Sequence, residues 1–535
     1  MTTTPSASQP SWWQQAAVYQ VYLRSFQDTD GDGIGDLEGL RRRLPYLAGL
    51  GVDTLWLSPV HPSPDVDFGY DVADYTGVHP AFGSVADLER VVTEARAAGL
   101  RVILDGVFNH TSDQHPWFQQ SVSDPDGPFG DFYLWRDGDR PPNNWGSTFG
   151  GPAWRHVPER GQWVLHSFAP EQPDLNWRSP AVVEAVLDSM RFWLERGVSG
   201  FRLDVFNCYL KDPELRDNPR RKDLVGLFGG LAYRFIGQEH VHDRDHPDLA
   251  AVLGRMRALA DTYDAVLVGE TLDERLTYDN AAQWVGPDRL HLAFHFRLLH
   301  SRWGARPFAE AIRSWTESLG PDGWPTWVLS NHDFPRAATR WGGRDDRARL
   351  AAFLACTLRG TPFLYQGDEL GMREGRLERA EIVDPPGRRF WPFYRGRDGA
   401  RTPMQWEAGP GAGFTTGTPW LPVHPDHVTR NVAAQQDDSR SLLCFWRRAL
   451  AARRSCPDLL HGVQGTVETP DGELVRFRRG DTDILVNLGD APVRLRMPRA
   501  DERPVRLATH GRLDRTVEGV RLRTCEGLAL GPLPA

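Results

Sequence analysis

The chain has 535 residues, 40% of them hydrophobic and 25% charged, with a formal net charge of -9. This composition supports a large packed core and excludes wholesale disorder, and an acidic balance without a basic stripe argues against a nucleic-acid or acidic-membrane partner. The five cysteines (Cys208, Cys356, Cys444, Cys456 and Cys525) are scattered without a C-x-x-C pair, so neither a disulfide framework nor a zinc knuckle follows. No apolar run is long enough to span a membrane, and the polar N-terminal stretch has no basic-then-apolar leader pattern. A cytoplasmic setting is the expectation.

Residues 18–26 read as a strand, 36–51 as a helix, 53–59 as a strand, 85–99 as a helix ending on glycine, and 101–110 as a third strand. Residues 111–174 have a different texture, rich in Pro, Gly, Asp and Trp, and are too long for a loop; they read as an inserted subdomain. Alternation resumes with helix 179–196, strand 200–206, helix 247–263, strand 265–270, strand 290–296, helix 308–319, strand 326–331, helix 348–358 and strand 362–366. Eight strands with crossover helices predict an α/β fold, a (β/α)8 TIM barrel. A long helix at 439–454 follows, and short alternating segments from about 458 onward predict a C-terminal antiparallel β domain. The expected division is a barrel in two parts, 1–110 and 175–457, the insertion at 111–174 and the β domain at 458–535.

Four of the apolar runs end on charge: VILDGVFNH (102–110), GFRLDVFN (200–207), AVLVGET (265–271) and WVLSNHD (327–333). A buried parallel strand is apolar along its length, so charge at its end points beyond the carboxyl edge of the sheet, where barrel enzymes carry their chemistry. Arg202 and Asp204 lie two apart and share a strand face, and an arginine beside a carboxyl keeps it ionised, as a nucleophile requires. Glu270 follows an apolar approach that raises a carboxyl pKa and suits a general acid. Structural ion pairing at a barrel rim would explain one such pair, but not the convergence of Asp204, Glu270, Asp333, Asp105 and His110. Two carboxyls flanking a bond are the glycosidase arrangement. A metal site is the rival use of the same residues; the accompanying arginine and the lack of an H-E-x-x-H spacing weigh against it.

DGVFNH, GFRLDVFN, VGET and LSNHD resemble the four signature regions of glycoside hydrolase family 13, the α-amylase family. QPDLNW (172–177) and GTPFLYQGDELGM (360–372) match two further stretches, with Asp368 departing from the more usual Glu. AVYQVYLRSFQDTDGDGIGDLEGL (17–40) and GRDGARTPMQW (396–406) resemble the α-glucosidase and oligo-1,6-glucosidase branch. The similarity runs from about residue 12 to at least 420. It implies Asp204 as nucleophile, Glu270 as general acid/base and Asp333 as a third carboxylate gripping sugar hydroxyls. It implies a glucose pocket completed by Tyr70, Asp71, His110, Phe168, Gln172, Arg202, His332 and Arg397, with Phe149 and Glu381 on the leaving-group side. Val205, after the nucleophile, resembles α-1,6-active members. AEIVDPPGRRFWPFYRGRDG (380–399) and ELRDNPRR (214–221) resemble α-1,4-active bacterial α-glucosidases with a shortened loop after the last strand. The expectation is a retaining exo-α-glucosidase of broad linkage with α-1,6 activity, acting on a small α-glucoside and using no organic cofactor. A transglucosylase or sucrose-isomerising enzyme would use the same residues. A non-catalytic binding subunit is disfavoured, because the carboxylates are present and no membrane helix is.

The segment 28–36 places Asp28, Asp30, Asp32 and Asp36 at alternate positions around glycines, which is calcium-loop spacing. The twelfth position is Gly39 where an EF-hand needs a bidentate Glu, so an acidic surface turn and a bound ion both stay open on pattern alone. The family resemblance favours structural Ca2+ or Mg2+, with Ile34 contributing its carbonyl. Trp12 and Trp13 are expected to pack in the core, whereas the aromatic cluster 390–394 precedes Arg397 on the loop expected to roof the pocket. Oligomeric state is not encoded in any of these patterns.

Overall fold

Eight short parallel strands form one sheet: β1 (Val18–Val21), β2 (Thr54–Leu57), β3 (Arg101–Gly106), β4 (Gly200–Leu203), β5 (Val266–Gly269), β6 (Leu292–Ala293), β7 (Thr326–Val328) and β8 (Thr361–Tyr365). The computed structural model describes residues 10–223, 235–273, 279–470, 472–511 and 513–533. Their spatial order is β7-β8-β1-β2-β3-β4-β5-β6. The two end strands meet where Thr326 Oγ1 on β7 donates to Ala293 O on β6, at 2.7 Å. The sheet therefore curls into a (β/α)8 barrel, as the alternation of elements implied.

The period of two along each strand separates two cores. Val18, Trp56, Ile103, Val266, Val268, Val328 and Phe363 form one buried cluster inside the barrel. Their neighbours Tyr19, Leu55, Leu57, Leu104, Leu267, Trp327 and Leu364 belong to a second cluster, shared with the surrounding helices. Those helices include Leu37–Leu50, Val85–Ala97, Pro180–Glu195, Leu249–Thr262, Ala305–Leu319 and Asp345–Thr357. The same alternation turns Gln20, Asp105 and Arg202 inward, one layer above the apolar plug. It also makes Asp204 and Glu270 the next inward positions on their strands. Asp105, Arg202, Asp204 and Glu270 thus gather at the carboxyl end of the lumen, while Thr54, Thr326 and Thr361 share the inward face at its amino end.

The runs read as strands are longer than the ladders they form. Run 290–296 pairs only over Leu292–Ala293, and 326–331 only over Thr326–Val328, because the chain leaves the sheet to carry side chains into the mouth. Between β3 and β4 lie a helix, Pro116–Ser123, and a three-stranded antiparallel sheet of Trp135–Arg136, Gln162–Leu165 and Trp154–Val157. After the helix Leu442–Ser455 come two antiparallel sheets. One has four strands (Leu474–Arg479, Thr482–Asn487, Glu526–Leu530, Val505–Ala508) and the other three (Val493–Arg496, Gly519–Leu522, Asp514–Arg515). Among the described residues, no helix is long and apolar enough to cross a membrane.

Candidate active site

Main-chain hydrogen bonds place the two central carboxyls. Asp204 N donates to Gly106 O at 3.1 Å and Glu270 N to Leu203 O at 3.0 Å, so each residue extends its strand by one step. The chain then turns. Val205 adopts φ 35, ψ 40, left-handed backbone that a β-branched residue rarely takes, at a local strain of about 1–3 kcal/mol. Two bonds brace that turn against the loop after β5: Phe206 N donates to Glu270 O at 3.2 Å, and Leu272 N to Asn207 Oδ1 at 2.9 Å. The turns carrying residues 204 and 270 are therefore locked together.

Arg202 is the hub. Its Nη1 donates to Asp105 Oδ1 at 2.7 Å and to Asp204 Oδ1 at 2.6 Å, and its Nη2 pairs with Glu270. The guanidinium is wholly buried, lies 5.2 Å from the Trp56 ring, and is held well above its ordinary pKa: burial opposes its charge, but Asp105, Glu270 and Asp204 outweigh that. Burial pushes the Asp204 carboxyl up to about 6 against the pull of Arg202. Burial likewise holds Glu270 well above the usual carboxylate range, with the charges of Asp204 and Asp333 outdoing part of the relief from Arg202. Asp333 behaves oppositely. Burial works against its ionisation, yet the charges of Arg397 and Arg401 hold it well below the ordinary value. Arg401 Nη2 donates to Asp333 Oδ1 at 3.1 Å, and Arg397 Nη1 lies 3.5 Å from the same oxygen. Buried His332 is kept neutral, its Nε2 facing the Tyr70 hydroxyl and Asp333 Oδ2.

Asp204, Glu270 and Asp333 open onto one cavity of about 530 Å³. Tyr70, His110, Phe149, Phe168, Val205 and Arg397 line it as well, while Arg202 and His332 stand behind these residues and hold them. Three expected pocket residues lie elsewhere. Asp71 is fully buried beneath the cavity: its oxygens accept from Ser63 Oγ at 2.7 Å, Val66 N at 2.9 Å and Asp67 N at 3.0 Å, so it shapes the loop instead of facing a ligand. Asp67 takes the lining position and pairs with Arg397 at 2.6 Å. Gln172 is also fully buried behind the wall, with Nε2 at 3.1 Å from both Tyr70 O and His110 Nε2. Glu381 is exposed and absent from the lining, because its Oε2 turns back to accept from Glu378 N at 2.7 Å.

One residue outside the expected set, Asp384, organises the roof. Asp384 accepts from Arg397 Nε at 2.7 Å and caps the short helix Pro385–Phe390 by accepting from Gly387 N. Phe390, Phe393 and Tyr394 follow as lining residues, and Phe393 is 98% exposed at the rim. At the opposite end of the chain, Trp12 and Trp13 are spent on packing. Trp12 Nε1 donates to Asp264 O at 2.9 Å and Trp13 rests on the lumen cluster.

In the acidic loop, one oxygen from each of Asp28, Asp30 and Asp36 lies within 4.8 Å of the others. Asp32 is not in that trio; its Oδ1 accepts from Ile34 N at 2.7 Å, which joins those two positions to each other. Gly33 sits at φ +92 with a Cβ position 2.0 Å from Thr418 O, so only glycine lets the loop close on that segment. Burial raises Asp32, and its neighbours Asp30, Asp28 and Asp36 add to the rise.

The α-amylase catalytic-domain model matches residues 20–462. The chain is similar to a probable α-glucosidase of Rhizobium meliloti, 44% identical over 516 residues and 93% of each chain. It is similar to an oligo-1,6-glucosidase of Parageobacillus thermoglucosidasius, 37% identical over 89% of this chain and 90% of that one. Among solved structures it is similar to an α-glucosyl transfer enzyme, XgtA, with a TM-score of 0.91 and 40% identity over 98% of this chain and 100% of that one. The chain belongs to the α-amylase family of glycoside hydrolases, in the branch of the α-glucosidases and oligo-1,6-glucosidases.

Proposed function

We propose that this chain is a retaining exo-α-glucosidase that removes terminal glucose from short α-glucosides. The observation carrying this reading is one guanidinium, Arg202, shared by Asp204 and Glu270 at the floor of a cavity that Asp333 also enters. A fork that grips both carboxyls holds them close, as a double displacement needs and as the wider water-admitting spacing of inverting enzymes does not. Burial holds Glu270 well above the ordinary carboxylate range, which suits it to carry the proton, while Asp204 takes the ionised role beside Arg202. Asp204 attacks the anomeric carbon while Glu270 delivers its proton to the departing glycosidic oxygen. The ionised Glu270 then takes a proton from water as that water attacks the same carbon, releasing α-glucose and freeing Asp204. Asp333, ionised throughout, accepts hydrogen bonds from ring hydroxyls, and these strengthen as positive charge develops on the sugar. The Asp67–Arg397 pair in the cavity lining supports exo action, since it offers charged partners to the hydroxyls of a terminal sugar.

Val205, lining the cavity beside Phe168, supports a broad linkage range that includes α-1,6. Initial rates on maltose, isomaltose and sucrose test this: isomaltose should be cleaved within about tenfold of maltose, and negligible isomaltose cleavage would refute the role given to Val205. Glucosyl transfer to a second sugar would use the same two steps with a hydroxyl in place of water; product analysis at high substrate distinguishes it.

We also infer a structural Ca2+ or Mg2+ held by Asp28, Asp30 and Asp36, with Asp32 and the Ile34 carbonyl beside them. Among the described residues no arginine or lysine pairs with these four aspartates, so a hard cation with oxygen ligands fits the donor set. When bound it would neutralise the loop and take no part in the reaction. Chelation should lower the melting temperature by roughly 2 °C or more, restored by Ca2+, with activity at room temperature retained. An unchanged melting temperature would contradict the site.

A further inference from the structure

The chain contains sixty arginines and only two lysines, Lys211 and Lys222. Lys222 is exposed, but Lys211 is 3% exposed and sits behind the cavity wall. Its Nζ lies 2.6 Å from Asp174 Oδ2 and 3.0 Å from Asn109 Oδ1, and it also donates to Cys208 O. Three acceptors around one nitrogen match the three hydrogens of an ammonium, whereas a planar guanidinium has neither the size nor the geometry for that junction. In a chain that otherwise uses arginine for its cations, a lysine at this point has a steric reason.

Each acceptor leads to the site. Because Asn109 Oδ1 faces Lys211, its Nδ2 faces His110 Nδ1, at 3.1 Å, so the amide orientation assigns His110 Nδ1 as an acceptor. Asp174 accepts from Ser167 N at 2.8 Å and Ser167 Oγ at 2.6 Å, holding the turn that presents Phe168. Cys208 packs with Val205 and Phe168 in one cluster, just past the strained turn after Asp204. We propose that Lys211 is a positioning residue for the glucose pocket, orienting His110 through Asn109 and Phe168 through Asp174. The inference rests on the glucosidase reading given above.

Lys211→Met alone leaves Asp174 buried without its cation and should lower stability. The informative variant is Lys211→Met with Asp174→Asn, which removes both charges. It should melt within about 5 °C of the wild type yet raise KM for an aryl α-glucoside about tenfold, with kcat changed less than about threefold. Wild-type KM in that double variant would overturn the proposal and leave Lys211 a structural ion-pair partner. Asn109→Ala keeps the Lys211–Asp174 pair and cuts only the link to His110. It should raise KM in the same way, and an unchanged KM there would overturn the His110 branch even if the double variant failed to fold. If the wild type itself did not cleave the glucoside, the pocket reading would fail instead.

Discussion

Replacing Asp204 by Asn should lower hydrolysis of an aryl α-glucoside by roughly 10⁴-fold or more while leaving the fold intact. The amide fills the same space and still accepts from Arg202, but it cannot form the glucosyl ester. The sign of the stability change follows from the environment. Burial has pushed this carboxyl up to about 6, above its ordinary value, so its favourable contribution to folding belongs to low pH and is lost as pH rises through that value. Above pH 6 the wild type therefore carries an ionised, buried carboxylate that the variant lacks. Asp204→Asn should melt no lower than wild type there. Loss of activity together with loss of the fold would mean that the residue is structural. A smaller variant, Asp204→Gly, makes room for azide to attack in place of the carboxylate, and it should yield β-glucosyl azide, inverted at the anomeric carbon.

Arg202→Met should show the largest combined effect on stability and rate. The side chain is wholly buried and serves Asp105, Asp204 and Glu270 at once, so its loss leaves three buried carboxyls above Trp56 without their shared cation. Breaking a buried pair by removing one partner costs about 3–5 kcal/mol. The variant can reduce that loss only by taking up protons. Its Asp204 should titrate above the wild-type value of about 6, moving the acid limb of kcat/KM to higher pH and lowering the rate at pH 6 by roughly 10²–10³-fold. Its stability should fall as pH rises through that raised value, since the neutral acids are the form the fold then tolerates. An acid limb that stays in place, measured beside thermal melting across pH 5–8, would show that Arg202 does not set the ionisation of Asp204.

The barrel and its chemistry were legible for one physical reason: a buried parallel strand tolerates charge only at its end. That rule located Asp204, Glu270 and Asp333, and the period of two placed Arg202 on the same inward face as Asp204. The rule says nothing of where a ladder stops, which is why 290–296 and 326–331 read longer than Leu292–Ala293 and Thr326–Val328. Loop residues were harder still. DFGYD offers two aspartates, Asp67 and Asp71, and only the fold of the loop decides that the first faces the cavity while the second accepts its main-chain N–H groups. Glu381 looked free to reach the leaving group, but a three-residue turn recaptures its carboxylate. Asp384 could have been suspected from Asp-Pro-Pro, a helix start with its cap, although the bond from Arg397 back to it depends on a roof no local pattern encodes. The short sheet of the excursion after β3 carries tryptophans on strands of two to four residues, too brief for any period to register.

The most direct test is to trap the reaction halfway. A 5-fluoro-α-glucosyl fluoride should react at Asp204 and stay there, because the ring fluorine slows both steps while the anomeric fluoride, a good leaving group, keeps the first one fast. Digestion and mass spectrometry should then find one fluoroglucosyl group on the peptide that spans Leu203–Asn207. The same sugar on Glu270 or Asp333, or β-glucose as the first product released from the natural glucoside, would contradict the account.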